Sequence, residues 1–191
     1  MIKEYFIEKT FKKTDFLTSG VAAGNYENCT FDNCDFSNVD LSGTNFSDCA
    51  FGSCNLSLAK LNKTAFRNAR FKDCKLLGLH FESCTDFLFS VGFTGCNLNL
   101  SSFFKKNLKK IRFVNCSLQE TDFTQADLTN SIFDNCDLAR ATFDHSIIEK
   151  ADFRTSFNYS IDPELNRLGK AKFSLAGVVG LLDKYGIEVE Y

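Results

Sequence analysis

The sequence predicts an all-β solenoid, a chain wound into stacked four-sided coils and closed at its C-terminal end by a helix. Three observations carry this. Phenylalanine recurs as Phe11, Phe31, Phe51 and Phe71 and then as Phe93, Phe113, Phe133 and Phe153, a spacing of twenty residues broken once by two extra places. Within that ladder a large apolar residue falls at every fifth position, as in Phe31, Phe36, Leu41, Phe46, Phe51, Leu56, Leu61 and Phe66. The residue two places before each of these is small. Internal repetition fixes architecture before any local motif does.

A period of five fits neither regular element. On an α-helix it rotates the large side chains by about 140° per step and leaves no buried face. In a strand an odd step sends them to alternate faces. The chain must therefore bend once per pentad, and four bends close one coil. The columns are coherent: Phe36, Leu56, Leu76, Leu98, Leu118 and Leu138 form one, Leu41, Leu61, Phe81, Phe103, Phe123 and Phe143 another, and Tyr26, Phe46, Phe66, Leu88, Leu108, Leu128 and Ile148 a third, beside the phenylalanine ladder. Coils so stacked pair through their backbones about 4.8 Å apart, each touching only its neighbours. The reading gives a β-helix over 1–160 with seven to eight coils, a two-residue slip between 82 and 87, and a cap over 161–191.

All nine cysteines occupy the small inward slot, and Cys34, Cys54, Cys74, Cys96, Cys116 and Cys136 make one column. A slot otherwise filled by Ala, Ser, Thr or Val reads as core packing rather than metal ligation or disulfide bonding. His80 and His145 fall on outward positions of different coils. Two inward slots break the pattern, Asp86 and Lys106. Either they lie one coil apart and form an inward ion pair, because neither charge can be buried alone, or the slip turns Asp86 outward and Lys106 snorkels to water.

A chain of 191 residues with a formal charge of −2 suits one soluble domain. It shows no apolar run of membrane-spanning length and no signal-peptide pattern, so a cytoplasmic location is the default expectation. No nucleophile with a histidine partner, phosphate-cradling glycine loop or metal motif is present, so neither an enzyme nor a bound cofactor or metal is expected.

Charge is segregated along the chain. Residues 14–59 carry six acids and no Lys or Arg, whereas 60–75 hold Lys60, Lys63, Arg67, Arg70, Lys72 and Lys75, and 105–112 add Lys105, Lys106, Lys109, Lys110 and Arg112. Acid returns from 120 to 152 with Glu120, Asp122, Asp127, Asp134, Asp137 and Asp144 foremost. Such blocks on a rod generate directional fields. Direct nucleic-acid binding through the basic belts is disfavoured, since no aromatic residues interleave with them.

After Asp162-Pro163 the repeat is expected to end. Ser174 is suited to cap a helix over about 175–185, and Gly186 to end it in a left-handed turn. Leu175, Val178, Val179, Leu182 and Tyr185 fall on one helical face, followed by Ile187. This segment must cover the open last coil, or join two chains as a dimer, or both.

With a small residue, a polar residue, Leu or Phe and two further polar residues in each pentad over 6–158, the chain resembles the pentapeptide-repeat family. The resemblance implies a right-handed quadrilateral parallel β-helix. The tail from Ser174 to Val189, with Leu181-Leu182-Asp183-Lys184-Tyr185-Gly186-Ile187, and the run Glu27-Asn28-Cys29-Thr30-Phe31-Asp32 look like the Qnr-type quinolone-resistance proteins. That likeness implies a non-enzymatic DNA mimic that dimerises through its C-terminal helix and binds a type II topoisomerase, DNA gyrase, modulating fluoroquinolone action, with the acids from Glu120 to Asp144 facing the enzyme. The chain departs from the long-looped Qnr proteins in offering only the short insertion near Asp86. A structural or protein-interaction scaffold with an unknown partner is the alternative.

Overall fold

The bend in each pentad is made by one residue in the left-handed region. Asn28, Asn33 and Asn38 have φ of 53°, 52° and 58°, and Asn115, Asn130 and Asn135 repeat this higher up the coil stack. Asn and Asp adopt this conformation at least cost among residues with a Cβ, which explains their frequency at the last place of the pentad. A computed structural model describes residues 4–20 and 24–190. It is an all-parallel β-solenoid with little helix.

One wall is a seven-stranded sheet, here the long sheet, built from Thr10–Lys12, Thr30–Asp32, Ala50–Gly52, Ala69–Lys72, Val91–Thr94, Arg112–Val114 and Ile132–Asp134. A second wall, the short sheet, pairs Glu4–Ile7, Gly24–Glu27, Asn45–Ser47 and Ala65–Arg67. Isolated parallel bridges hold the other two walls, one running Asp15, Asp35, Asn55, Lys75, Asn97, Ser117, Asp137 and Phe157, the other including Asp40 with Lys60 and His80, Ser102, Asp122 and Thr142 in succession. Register is twenty residues in most of these pairs, as in Phe31 opposite Phe51 and Phe113 opposite Phe133.

The core is the expected ladder. Rings of Phe31 and Phe51 stack at 4.8 Å, those of Phe51 and Phe71 at 4.7 Å, and those of Phe133 and Phe153 at 4.6 Å, while neighbours around a coil meet edge-on. Every cysteine is buried and unbridged. The small slot has a polar task as well: Cys54 Sγ lies 3.4 Å from the Phe31 carbonyl, and Thr64 Oγ1 and Ser146 Oγ donate at 2.8 Å to the carbonyls of Leu41 and Phe123. Each partner lies 23 residues back, so Cys, Ser and Thr fasten one coil to the previous one where Ala merely fits. Burial pushes the Cys49 and Cys84 thiols up to about 12, which keeps them neutral.

Four features differ from the sequence reading. A short helix over Phe16–Ser19, capped by the Asp15 carboxylate accepting from the Leu17 and Thr18 amides, sits in the first coil. The slip overlaps 82–87 but runs past it: Thr85 still donates to the Thr64 carbonyl in the twenty-residue register, and Val91 opposite Ala69 is in the shifted one. Leu88 takes a left-handed corner with φ of 58° and is 63% exposed, so Phe89 fills its core place and meets Phe81 edge-on at 6.4 Å. The repeat also outlasts Asp162-Pro163, where Asp162 Oδ1 accepts from the Glu164 amide and forms a corner. Buried Asn166 then enters the small slot, donating to the Phe143 carbonyl, and Phe173 stacks on Phe153 at 5.4 Å.

The fourth difference is the tail. In place of an α-helix over 175–185 there are two 3₁₀ turns, Gly177–Leu181 and Asp183–Tyr185. Ser174 Oγ does accept from the Gly177 amide, and Gly186 does end the segment at φ of 59°. Gly177 and Gly180 press against Tyr159 so closely that a Cβ at either would collide with it. The glycines that permit this contact also weaken a helix. Leu182 and Val179 are half-buried, but Leu175, Val178, Tyr185 and Ile187 are exposed, so the expected single apolar face is not formed.

Candidate interaction surface

Outward residues are the first, third and fourth after the small slot of each pentad, and a wall displays those twenty residues apart. A block of consecutive charges must therefore wrap the rod as a band, because one coil is twenty residues long. The structure places the acids of the C-terminal block on all four walls. Asp134 ends a strand of the long sheet, Asp127 bridges Asn107 above the short sheet, Asp137 lies in the bridge ladder through Ser117, and Asp122 lies in that through Ser102. Glu120 and Asp144 occupy corners and edges beside these last two ladders.

Most of these acids are engaged locally. Glu120 pairs with Arg140, Asp127 with Lys109 at 3.1 Å, and Asp144 faces His145 Nδ1 at 2.7 Å. Partial burial would raise the Asp137 carboxyl, but hydrogen bonds from Gln119 and Asn158 hold it below the usual carboxylate range. Burial acts likewise on Asp127 and is outweighed by Thr129 and Lys109. Asp122 Oδ1 accepts from the Thr124 amide and Asp134 Oδ1 from Thr155 Oγ1. All six are accessible to some degree, in a ring rather than a stripe.

Asp86 and Lys106 do meet, with Nζ 2.6 Å from Oδ1, but not inside. Lys106 is 2% exposed and its Nζ also donates to the Cys84 carbonyl at 2.6 Å, whereas the Asp86 side chain is 88% exposed on the bulge. This arrangement has a simple cause. Lys106 stacks on Cys84, not on Asp86, and reaches through the opening that the two inserted residues leave, over the Phe89 ring at 4.9 Å. Beside it Phe87, 68% exposed, lies under Arg67.

His80 faces Glu82 on the surface, and among the described residues no group of His, Cys, Asp and Glu could hold a metal ion. Among the described residues no helix is long and apolar enough to cross a membrane. The pentad geometry finds its counterpart in a profile described as a pentapeptide repeat region, which matches residues 24–85 and 87–158. The chain belongs to the pentapeptide repeat family. The gap in that match falls at Asp86, within the insertion.

Among solved structures, a trypsin-treated variant of QnrB1, a plasmid-mediated fluoroquinolone resistance protein, is 25% identical, with 98% of each chain covered and a TM-score of 0.50. A second trypsin-treated variant of QnrB1 is 24% identical over 98% of this chain and 100% of that one, with a TM-score of 0.51. HetL, a pentapeptide repeat protein involved in heterocyst differentiation regulation from the cyanobacterium Nostoc, is 15% identical over 91% of this chain and 85% of its own, with a TM-score of 0.53. No curated protein sequence matches the chain. The pentapeptide repeat body is thus a β-solenoid scaffold for protein contact, and its outward residues are what it offers.

Proposed function

We propose that this protein is a non-enzymatic DNA mimic that binds a type II topoisomerase, DNA gyrase in the first instance, and modulates fluoroquinolone action. The observation that carries the reading is the likeness to a fluoroquinolone resistance protein over 98% of both chains. The acidic band agrees with it physically. Duplex DNA is anionic on every side, and a ring of carboxylates presents negative charge whichever wall enters a DNA-binding groove. The exposed Leu175, Val178, Tyr185 and Ile187 suit a homodimer joined tail to tail, in which the two acidic bands flank the centre. A cytoplasmic location follows from that partner.

The test is gyrase supercoiling with added protein, with and without a fluoroquinolone, beside a variant in which Asp122, Asp127, Asp134, Asp137 and Asp144 become Asn. Supercoiling rescued by the protein and lost with the variant is the expected result. No effect over a wide concentration range, with the protein folded, would overturn it. That outcome would leave a scaffold for another protein, a reading favoured by exposed Leu58 and Leu100 along one edge of the rod.

A further inference from the structure

The long sheet has an uneven outer face. Its successive rungs display Thr30 and Asp32, then Ala50 and Gly52, then Arg70 and Lys72, then Gly92 and Thr94, then Arg112 and Val114. The two glycine rungs are nearly bare and bracket a cationic one, producing a shallow groove of about 900 Å³ along this wall.

Neither glycine is required by the fold. Gly52 and Gly92 are strand residues without positive φ; a Cβ on Gly52 would meet nothing closer than 3.8 Å, and one on Gly92 nothing within 4 Å. A strand glycine weakens its sheet, and where packing does not demand it, it marks close approach by something else. The cations around the groove are equally unclaimed. Among the described residues the side chains of Arg70, Lys72, Lys110 and Arg112 make no ion pair, hydrogen bond or ring contact. Four unneutralised cations beside two bared rungs call for an anionic occupant whose backbone comes close to the sheet.

We propose that this wall, from Gly52 to Arg112, is a docking site for an extended acidic segment of a partner protein. The extent of the positive charge selects that occupant. From Arg70 to Arg112 is two coil spacings, about 10 Å, and a carboxylate stands beyond it on the same wall at each side, Asp32 next to Lys12 on one and Asp134 on the other. A continuous phosphate backbone would run onto those carboxylates, and the wall exposes no aromatic ring for base stacking. A polypeptide can place two or three carboxylates within the cationic span and neutral residues beyond it.

The probe is a fluorescein-labelled peptide of alternating Asp and Gly, ten residues long, followed by fluorescence polarisation at low salt, with an Asn-Gly peptide and a short DNA duplex in parallel. The acidic peptide binds at least tenfold more tightly than the Asn peptide and more tightly than the duplex. Gly52→Val and Gly92→Val together weaken it tenfold or more while leaving the melting temperature unchanged or raised, because β-branched side chains favour strands. Arg70→Ala with Lys72→Ala weakens it similarly. No binding at millimolar peptide, tighter binding of the duplex, or valine variants that fold and bind as the unchanged protein does would each overturn the proposal.

Discussion

The coil body and the tail that follows Ser174 draw on similar apolar residues, yet one is locked and the other laid on. In the body each large side chain has a like neighbour one coil before and one after, and rings such as Phe113, 0% exposed, stack on both sides. In the tail Leu175 is 92% exposed, and what attaches the segment is a backbone bond from Ile161 to the Gly180 carbonyl, the pressing of two glycines onto Tyr159, and ion pairs at Lys184. Periodicity makes stability in the first region, since each rung is a template for the next. Fit between non-repeating surfaces makes it in the second.

The largest break in that contrast is Phe113→Ala. It removes a ring from the middle of the ladder, and denaturant unfolding should show a loss of about 3–5 kcal/mol, as buried aromatic truncations do. Gly180→Ala should act on the tail alone. The added Cβ collides with the Tyr159 carbonyl, so hydrogen exchange over 175–186 should accelerate while protection of the coil amides stays unchanged. Equal loss of protection in both regions would show that the tail and the body unfold as one unit.

The mildest effect is pH. Lys184 contacts Asp162 at 2.8 Å and Glu164 at 2.6 Å and holds both carboxyls below their ordinary range. Groups with depressed values in the folded state contribute above the unfolded carboxylate range and lose that contribution as pH falls through the folded values. Protection of the tail amides, corrected for intrinsic exchange, should therefore drop on acidification below about pH 4, and Lys184→Ala should abolish the difference. Glu164 is exposed and Asp162 only partly buried, so the effect is small and salt should diminish it.

Much of the fold was legible because a twenty-residue period states it many times over. The wall columns, the phenylalanine ladder and the inward cysteines follow from spacing alone, since a residue type repeated at every coil has only one place to stack. The exceptions occur where the repeat speaks once. At the insertion two residues must go somewhere, and only packing decides that Phe89, not Leu88, turns in and that Lys106 reaches out to an exposed Asp86. In the tail a helical pattern lost to contact with Tyr159. The charge blocks were visible as blocks, but a chain order of acids cannot say whether they line a stripe or circle a rod; the coil length settles that they circle it. Gly52 carried a signal in a column that also holds Lys12, Asp32, Lys72 and Thr94, and Gly92 in one that holds Thr10, Thr30 and Arg70, although only the open space above them shows that the fold does not need them. Sequence by itself determined the solenoid, through periodic burial and obligatory backbone pairing. Tertiary structure alone decided the bulge, the cap and the bared wall, because each depends on contacts between residues that no period relates.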